Sequence, residues 1–571
     1  MGETAKPEGA DDHLIFDKDV PVPVSDGLVL RANVFRPKAP GRYPVVMAMG
    51  IYGKDAHFGD AFKAQWDNLL RIYPDLCANG STGHYLRWEN VDPERWVPDG
   101  YVVVTVDSRG SGKSPGYLDP FSPRETADFH DAIEWAGEQP WSNGKVGLLG
   151  ISYFAIKQWQ VAALRPPHLA AIIPWEGAND FYRDWSHHGG IFSAGFPTAW
   201  WPRQALVNQH GSGDSTYRDR DTGERTTGPA LSKAMLDGSR ADHPADLLAH
   251  PLDDAWHRER SADLARIDVP LLSAGNWGGP GLHLRGNING FLGVGSKQKW
   301  LSMHVGTHYD SFYLPPYVAM QKRFFDRFLK GEDNGWDAMP PVRLEVRRPD
   351  GASERFEQEW PLARTVWTPL LLDASALSLS TATPAASGRA SFEALGEGLH
   401  FSTAPFAEEQ EFTGPLAAKL FVSSTTADAD LFVTLRLLDP EGAEVRFVGA
   451  HEPVPVARGW LRASHRKLDP ARSTPARPWH SHDEVQKLTP GDIYELDVEI
   501  WPTSVVVPAG YRLVLTVAGR DFQYEGLPGR LLHDNPQDRD PVEFGGTTTL
   551  HTGGAHASHL LLPAIPSATP G

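Results

Sequence analysis

Short, continuously apolar runs alternate with helix-compatible stretches over the first third of the chain. The runs are YPVVMAMG, YVVVTVDS, KVGLLGIS and LAAIIPWE. Strands that are apolar on consecutive residues are typical of a mostly parallel sheet that is covered by helices on both faces. Between the second and third runs, ETADFHDAIEWAGEQ carries apolar residues near helical spacing and predicts a crossover helix. The pattern as a whole predicts an α/β domain.

This alternation breaks between residues 181 and 266. Aromatic residues and histidines, as in FYRDWSHHGG and FPTAWWPR, are followed there by polar, helix-compatible stretches, which predict a helical cap inserted into the α/β domain. The sheet pattern resumes with VPLLSAGNW and QKWLSMHVG. It closes on the helix MQKRFFDRFLKG, where we expect Gly331 to form the C-terminal cap.

The pattern changes again after Gly335. Short β-prone runs follow, among them VRLEVRR, AKLFVSS, DLFVTLRLLD, YELDVEIW and YRLVLTVAG, and turns rich in Gly, Pro and Asp separate them. Such spacing is typical of an all-β sandwich or jelly roll. We therefore expect an α/β domain of residues 1–180 and 267–335, a cap of residues 181–266, and a C-terminal jelly-roll domain of residues 336–571.

Composition restricts the partners and the location of the chain. The formal charge of −18 disfavours binding to nucleic acid or to an anionic membrane, and no Lys/Arg-dense stretch offsets it locally. The polar N-terminal stretch lacks the apolar core of a signal peptide, and no run approaches the roughly 20 apolar residues of a membrane span. We expect a cytoplasmic protein with a small-molecule substrate, and the sequence leaves a homo-oligomer open. With Cys77 as its single cysteine, the chain has no Cys-based zinc or iron–sulfur site.

The strongest chemical signal is the segment KVGLLGISYFAIKQWQVAAL, in which an apolar run ends at Ser152 and a helix follows. A serine at a strand-to-helix turn has its hydroxyl lifted clear of the sheet, and the first helical amides face any oxyanion that forms there. The usual motif is G-x-S-x-G, but Phe154 occupies the last glycine position. Taken alone, this string is equally compatible with a catalytic serine and with a helix N-cap.

The string G-I-S-Y-F-A resembles the nucleophile elbow of the X-Pro dipeptidyl-peptidase and cocaine-esterase family. G-I-Y-G-K at 50–54, D-S-R-G-S-G-K-S at 107–114 and the C-terminal β region resemble the same family in the same order. The resemblance covers nearly the whole chain. It implies an α/β-hydrolase fold and a serine hydrolase of esters with Ser152 as its nucleophile. Neither the motifs nor the resemblance indicates a metal or another cofactor.

A serine nucleophile needs a histidine base and an acid that orients it. The resemblance places the base at His308, in HVGTHYDSF, whereas His304 lies within the apolar run before it and is expected to be a core or supporting residue. For the oxyanion hole, the elbow predicts the backbone N–H of Tyr153, and the resemblance implies the hydroxyl group of Tyr52.

The acid is where this chain departs from the family pattern. The family has an aspartate after the strand that corresponds to VPLLSAGNW, but this chain reads N-W-G-G, with Gly278 at the aspartate position. The chain order of the fold requires an acid between the serine and the histidine. Glu176, at the end of LAAIIPWE, is our candidate, and Asp180 and Asp184 are the alternatives. Glu176 is also compatible with an anchor for a substrate ammonium group or with a structural ion pair.

An unusually aromatic set of residues is expected around the acyl pocket, which would favour an apolar or aromatic substrate part. Its members are Trp175, Phe181, Trp185, Trp200, Trp201 and Trp277. The alternative is that most of them pack the cap. Two other functions stay open: an amide or X-Pro peptide hydrolase or acyltransferase with the same site, and a non-catalytic or carbohydrate-binding protein that acts through the jelly roll.

Overall fold

In the first part of the chain, eight strands pair side by side. The computed structural model describes residues 7, 9–10, 12–527 and 531–566. Part of the polar N-terminal stretch, on which the expectation of a cytoplasmic protein partly rests, lies outside the described residues. The strands are β1 (Leu14–Pro23), β2 (Val29–Pro37), β3 (Tyr43–Gly50), β4 (Val102–Asp107), β5 (Ser142–Ile151), β6 (Leu169–Trp175), β7 (Leu271–Asn276) and β8 (Lys299–His304).

The strands are ordered β1-β2-β4-β3-β5-β6-β7-β8. β1 and β2 are antiparallel to each other, β2 is antiparallel to β4, and all neighbouring pairs from β4 to β8 are parallel. The carboxyl ends of the parallel strands therefore lie at one edge of the sheet, where ligands bind in open α/β sheets.

Helices cover this sheet between the strands. They are Phe58–Ala61, Lys63–Ile72, Pro93–Trp96, Pro123–Glu138, Tyr153–Ala162, Leu284–Gly293, Asp310–Tyr313 and Pro315–Phe325. The predicted crossover helix is confirmed as Pro123–Glu138, and the Ser122 side chain accepts a hydrogen bond from the Glu125 N–H at its start. The predicted C-terminal cap is also confirmed, because Gly331 adopts φ 78° after the last helical turn.

The segment between β6 and β7 consists of short elements joined by long loops. Its helical pieces are Phe181–Ser186, Gly195–Trp200, Trp201–Ala205, Leu206–Asn208, Lys233–Asp237, His243–Ala249, Ala255–Arg260 and Leu264–Arg266, and a hairpin joins His187–His188 to Ile191–Phe192. The aromatic residues at its start are buried together with histidines of the same segment. Side-chain packing rather than long helices therefore stabilises this segment.

The C-terminal part is rich in β structure, as the sequence predicts. Its strands are β9 (Val342–Arg348), β10 (Gly351–Glu357), β11 (Val366–Asp373), β12 (Ser378–Ser380), β13 (Gly388–Glu393), β14 (Leu399–Thr403), β15 (Gln410–Ser424), β16 (Asp430–Leu438), β17 (Ala457–Arg462), β18 (Tyr494–Val507), β19 (Arg512–Ala518), β20 (Thr547–Thr552) and β21 (His559–Ile565). Most of their pairings are antiparallel. The jelly-roll topology itself stays a prediction.

The two parts of the chain share backbone hydrogen bonds. β9 pairs in parallel with β8, so the first strand of the C-terminal part extends the sheet of the α/β part. Farther along, the Ala450 N–H donates to the Gly278 carbonyl at 2.8 Å, and the His308 N–H donates to the Ala450 carbonyl at 3.0 Å. The C-terminal part is therefore attached directly to the loops that carry the candidate site. Among the described residues, no helix combines the length and apolar character needed to cross a bilayer.

Candidate active site

Ser152 lies on the sharp turn between β5 and the helix Tyr153–Ala162. Its backbone has φ 57° and ψ −112°, a conformation that non-glycine residues rarely adopt and that is typical of a strained nucleophile elbow. The Phe154 ring explains the departure from the usual motif. A Cβ atom at Gly50 or Gly150 would lie 2.6 Å from Phe154, so these two glycines make room for its side chain.

Three backbone segments meet at this elbow. The Ser152 N–H donates to the carbonyls of Trp175 at 3.0 Å and Glu176 at 3.1 Å, and the Ile151 N–H donates to the Glu89 carbonyl at 3.1 Å. Glu89 and Glu176 also have positive φ angles, 61° and 49°. Strained backbone is found preferentially at functional sites, because the surrounding structure must hold it in place. Here it brings two carboxylates beside the serine.

Glu176 is buried at the centre of a polar cluster. Its Oε1 accepts hydrogen bonds from Asn276 Nδ2 at 3.2 Å and from His304 Nε2 at 2.9 Å, and its Oε2 accepts one from His308 Nδ1 at 2.7 Å. Burial alone would raise the pKa of Glu176, but the charge and hydrogen bonds of His308 and His304 hold it well below its usual range. The predicted contact between Glu176 and His308 is thus present in the structure.

The other ring nitrogen of His308 faces a second carboxylate. His308 Nε2 donates to Glu89 Oε1 at 3.0 Å. Although burial opposes a charged imidazole, Glu176 and Glu89 together raise the pKa of His308 to about 10. Burial raises the pKa of Glu89 to about 7, against the opposing effect of His308. The pKa of His308 lies above that of Glu89, so near neutral pH the proton stays on His308 Nε2 and is held in a hydrogen bond to Glu89.

The hydrogen-bond partner of Ser152 is a histidine that sequence reasoning missed. Ser152 Oγ is 3.1 Å from His283 Nε2, and the His283 ring stacks on the His308 ring with 5.2 Å between centroids. Burial and the positive charge of His308 keep the pKa of His283 well below its usual range, so this imidazole is neutral. The available signal was the position of His283 in the loop after β7, where the family places its acid.

The structure gives a physical reason for the missing aspartate. A Cβ atom at Gly278 would lie 2.6 Å from Gly449 Cα and 2.7 Å from the Val448 carbonyl oxygen. The C-terminal part therefore occupies the space that a side chain at position 278 would need. Glu176, directly after the neighbouring strand β6, brings a carboxylate to His308 from another direction.

Neither alternative acid contacts His308. Asp180 accepts hydrogen bonds from the backbone N–H and the guanidinium of Arg183, at 2.9 and 3.0 Å. Asp184 forms an ion pair with Arg285 at 2.9 Å. Both carboxylates are therefore engaged in arginine pairs, and the structure leaves Glu176 as the carboxylate on His308 Nδ1.

Tyr52 and Tyr153 both lie beside the elbow, but their hydroxyl groups have different hydrogen-bond partners. The Tyr52 hydroxyl accepts a hydrogen bond from Trp200 Nε1 at 3.0 Å, and burial together with the Glu89 charge raises its pKa far above the usual range. Tyr52 therefore keeps its proton and can donate it. The phenol of Tyr153 donates to Glu125 at 2.6 Å, so its side chain is engaged elsewhere. Its backbone N–H is at the first helical position, where no intrahelical acceptor exists.

Two of the six aromatic residues expected around the acyl pocket lie in packing positions. The Trp175 ring stacks on His304 with 5.1 Å between centroids, and its Nε1 donates to Ser311 Oγ at 3.3 Å. Trp277 Nε1 donates to the Glu345 carbonyl at 2.9 Å, and its side chain belongs to the apolar core between the two parts of the chain. Both indoles are fully enclosed, which differs from the expected lining role.

Phe181 and Trp185 stack on each other in the segment between β6 and β7, with ring centroids 6.2 Å apart. Trp185 also contacts Phe196, with centroids 5.4 Å apart. Phe196 in turn lines a cavity beside His283. Phe181 and Trp185 therefore support the cavity wall from behind instead of lining it.

A cavity of about 290 Å³ lies beside His283. Both parts of the chain line it, through Phe196, Gly278, Gly279, Pro280, Gly281, Leu282, His283, Ala450, His451, Glu452, Val454, Arg458 and Leu532. Ser152 is not among these lining residues, but its hydrogen-bond partner His283 is. A concave, partly apolar space with a few polar groups is the usual form of a small-molecule site.

Comparison with known proteins agrees with this architecture. Residues 26–310 match the model of the X-Pro dipeptidyl-peptidase (S15 family), and residues 334–561 match that of the X-Pro dipeptidyl-peptidase C-terminal non-catalytic domain. The chain is 27% identical to the cocaine esterase of Rhodococcus sp. over 96% of its own length and 98% of that protein.

Solved structures give the same result. A CocE/NonD family hydrolase from Staphylococcus aureus is 34% identical and superposes with a TM-score of 0.83, covering 97% of this chain and 94% of that one. An α-amino acid ester hydrolase superposes with a TM-score of 0.69 at 19% identity, over 98% of both chains, and supports the fold alone.

Proposed function

Because this chain belongs to the CocE/NonD hydrolase family, we propose that it is a serine esterase that cleaves carboxylic esters through an acyl-enzyme intermediate on Ser152. The observation that carries the proposal is the buried hydrogen bond of 2.7 Å between His308 Nδ1 and Glu176, next to a strained serine. A serine hydroxyl becomes a useful nucleophile only when an oriented imidazole removes its proton.

His308 is the general base. The imidazole that takes the serine proton becomes an imidazolium and needs a negative partner on its other nitrogen. His308 has that partner in Glu176, whereas His283 Nδ1 is buried without a hydrogen-bond partner among the described residues. His283 instead holds the Ser152 hydroxyl in the resting enzyme.

Glu89 prepares His308 for this role. Loss of the Nε2 proton, with Glu89 as the neighbouring acceptor, leaves His308 neutral. Because the pKa of His308 lies above that of Glu89, this deprotonation is an unfavourable step that precedes catalysis. The free Nε2 of His308 then leaves the Glu89 carboxyl group and accepts a hydrogen bond from the Ser152 hydroxyl group. The same exchange in reverse restores the resting arrangement after turnover.

The reaction proceeds in two halves. Ser152 Oγ attacks the ester carbonyl while its proton moves to His308, and the bond from acyl carbon to alcohol oxygen breaks as His308 returns the proton to the leaving alcohol. A water molecule then repeats the sequence on the acyl-enzyme and releases the acid. The Tyr153 backbone N–H and the Tyr52 hydroxyl stabilise the oxyanion in both halves.

A second candidate function, hydrolysis of aminoacyl esters or amides, is favoured by Glu89. Its Oε2 is buried and accepts no hydrogen bond of normal geometry among the described residues, although the Trp88 indole lies nearby. A carboxylate oxygen of this kind beside the reacting serine suits a substrate ammonium group. The same site would then act as an aminoacyl or X-Pro peptide hydrolase.

A hydrolysis screen separates the two candidates. p-Nitrophenyl acetate and butyrate are compared with aminoacyl and X-Pro p-nitroanilides, in wild type and in Ser152→Ala. The esterase proposal expects turnover of the simple esters that Ser152→Ala abolishes. Turnover confined to substrates with a free amino group would replace it by the second function, and undiminished turnover in Ser152→Ala would refute both.

A further inference from the structure

Arg458 is a buried cation that forms no ion pair among the described residues, although the Asp521 carboxylate is near enough for the two charges to interact. It lies in β17 of the C-terminal part, is 8% exposed and lines the cavity beside His283. Its Nε has no hydrogen-bond partner, and within the described part of the chain its guanidinium forms neither a side-chain hydrogen bond nor an ion pair. A buried arginine in this state is costly, because the lost hydration of the charge is not replaced.

Other buried arginines of the chain have side-chain or backbone acceptors, although Arg285 Nη2 and Arg347 Nη1 are themselves without a hydrogen-bond partner. Arg462 pairs with Asp430 and Asp538, both within 3.0 Å, and Arg285 pairs with Asp184 at 2.9 Å. Arg347 has no carboxylate, but it donates to the carbonyls of Val456 and Ser504. Arg458 therefore differs from structural arginines of the same protein.

The nearby acidic side chains are already engaged. Asp521 accepts hydrogen bonds from His533 Nδ1 at 3.0 Å and from the backbone N–H groups of Leu532 and His533. Glu452 also lines the cavity, but it already interacts with another residue of the chain. Among the charged residues of the cavity wall, the group left for a ligand is the guanidinium of Arg458.

We propose that Arg458 binds a carboxylate carried by the substrate, so that the enzyme acts on esters of acidic acyl or alcohol groups. The proposal rests on the proposed function. A guanidinium binds a carboxylate through two parallel hydrogen bonds, which fixes orientation as well as charge. Phe196, Leu282, Val454 and Leu532 supply the apolar wall for the part of the substrate between the carboxylate and the ester.

The size of the cavity limits this part of the substrate. A volume of about 290 Å³ holds roughly ten non-hydrogen atoms, at the roughly 30 Å³ that a water molecule occupies in the liquid. A substituted benzoyl or phenyl group with one carboxylate has this size. Such rigid groups also prevent their own carboxylate from attacking the ester.

Two matched substrate pairs test the proposal. The acyl pair is the mono-p-nitrophenyl ester of terephthalic acid and p-nitrophenyl 4-methylbenzoate, and the alcohol pair is 4-acetoxybenzoate and 4-methylphenyl acetate. In each pair a carboxylate replaces a methyl group at the same position. We expect wild type to prefer the carboxylate member of at least one pair, by kcat/KM.

The variants are Arg458→Gln, Arg458→Lys and the control Arg446→Gln, which removes an exposed arginine of the same part of the chain that does not line the cavity. Arg458→Gln should lower kcat/KM for the preferred carboxylate ester about 30- to 4,000-fold, the usual range for truncating one member of a buried charge pair. It should change the methyl ester less than about threefold, and Arg458→Lys should recover part of the loss. Arg446→Gln should behave as wild type.

Equal losses on both members of each pair would assign Arg458 a structural role, and a wild-type preference for the methyl esters would contradict an anion site. A binding measurement separates these results from failure of the esterase function. Calorimetry with Ser152→Ala and with the Ser152→Ala/Arg458→Gln double variant compares terephthalate with 4-methylbenzoate. Tighter binding of terephthalate that depends on Arg458 supports the anion site even if no ester is hydrolysed, and its absence overturns the proposal.

Discussion

The two sides of the candidate site are built differently. On the acid side, both oxygens of Glu176 accept hydrogen bonds, from Asn276, His304 and His308. On the substrate side, polar groups of Glu89, His283 and Arg458 are buried without a hydrogen bond of normal geometry among the described residues. Buried polar groups are nearly always hydrogen-bonded in native proteins, so the second set needs a reason.

This difference distinguishes the part of the site that is preorganised from the part that can bind a substrate. A fully bonded carboxylate orients His308 before the substrate arrives, and such preorganisation is the main source of electrostatic catalysis. Groups without partners lower stability in the free protein but can be satisfied by a ligand. The acid side is therefore fixed in advance, and the substrate side is completed by binding.

The largest expected effect is on the acid side, at His308. His308→Ala should lower kcat for p-nitrophenyl butyrate at least about 10³-fold, because members of a catalytic unit fail together. His304→Gln is the matched control, since His304 binds the same carboxylate but forms no hydrogen bond to the Ser152 hydroxyl or to Glu89. His283→Ala should cost less than His308→Ala. A larger loss for His283→Ala would make His283 the base.

The acid itself comes next. Glu176→Gln should lower kcat about 10²- to 10⁴-fold, because a neutral amide neither balances the imidazolium nor holds the correct tautomer. The loss should persist with p-nitrophenyl acetate. A loss confined to substrates that carry an amino group would instead make Glu176 an ammonium anchor, and circular dichroism of the variant checks that it folds.

On the substrate side, Tyr52→Phe should lower kcat about 10²-fold with little change in KM, the usual scale for one oxyanion donor. Trp200→Phe is the matched control, because it removes the hydrogen bond to the Tyr52 hydroxyl without removing the hydroxyl. An unchanged kcat in Tyr52→Phe would assign the second oxyanion donor to another group.

The smallest effect is on stability. The pKa of His308 is raised to about 10 in the folded protein, above the roughly 6.5 of an unfolded chain. Its contribution to stability is therefore complete below about pH 6.5 and is lost as the pH rises through about 10. The Tm of wild type should exceed that of His308→Gln by a few degrees at pH 6, and the gap should narrow toward pH 10. A Tm difference that does not change with pH would contradict a charged His308 imidazole in the folded protein.

Sequence reasoning was strongest where a pattern is local. The apolar runs predicted strands of the sheet, the amphipathic spacing predicted the helix Pro123–Glu138, and the strand-to-helix turn located Ser152. Glu176 could be proposed because its strand neighbours the elbow strand, and its contact with His308 is present in the structure. These features depend on short segments and on the order of strands.

The features that sequence reasoning missed depend on long-range packing. His283 was overlooked because the family pattern directs attention to an acid in that loop, and Gly278 is explained only by the backbone of residues 448–450 that packs against it. The part of the chain that matches a non-catalytic domain model supplies Arg458 and His451 to the cavity. The tryptophans were expected at the substrate because composition cannot distinguish a pocket wall from a packed core.

The central claim is that Ser152 forms the covalent acyl-enzyme. Mass spectrometry of the intact protein after treatment with a fluorophosphonate measures this most directly. We expect one phosphonyl adduct per chain in wild type, located at Ser152 by peptide mapping, a strongly slowed reaction in Glu176→Gln, and no adduct in Ser152→Ala. Labelling of Ser152→Ala at the wild-type rate, or an adduct on another residue of wild type, would contradict the account.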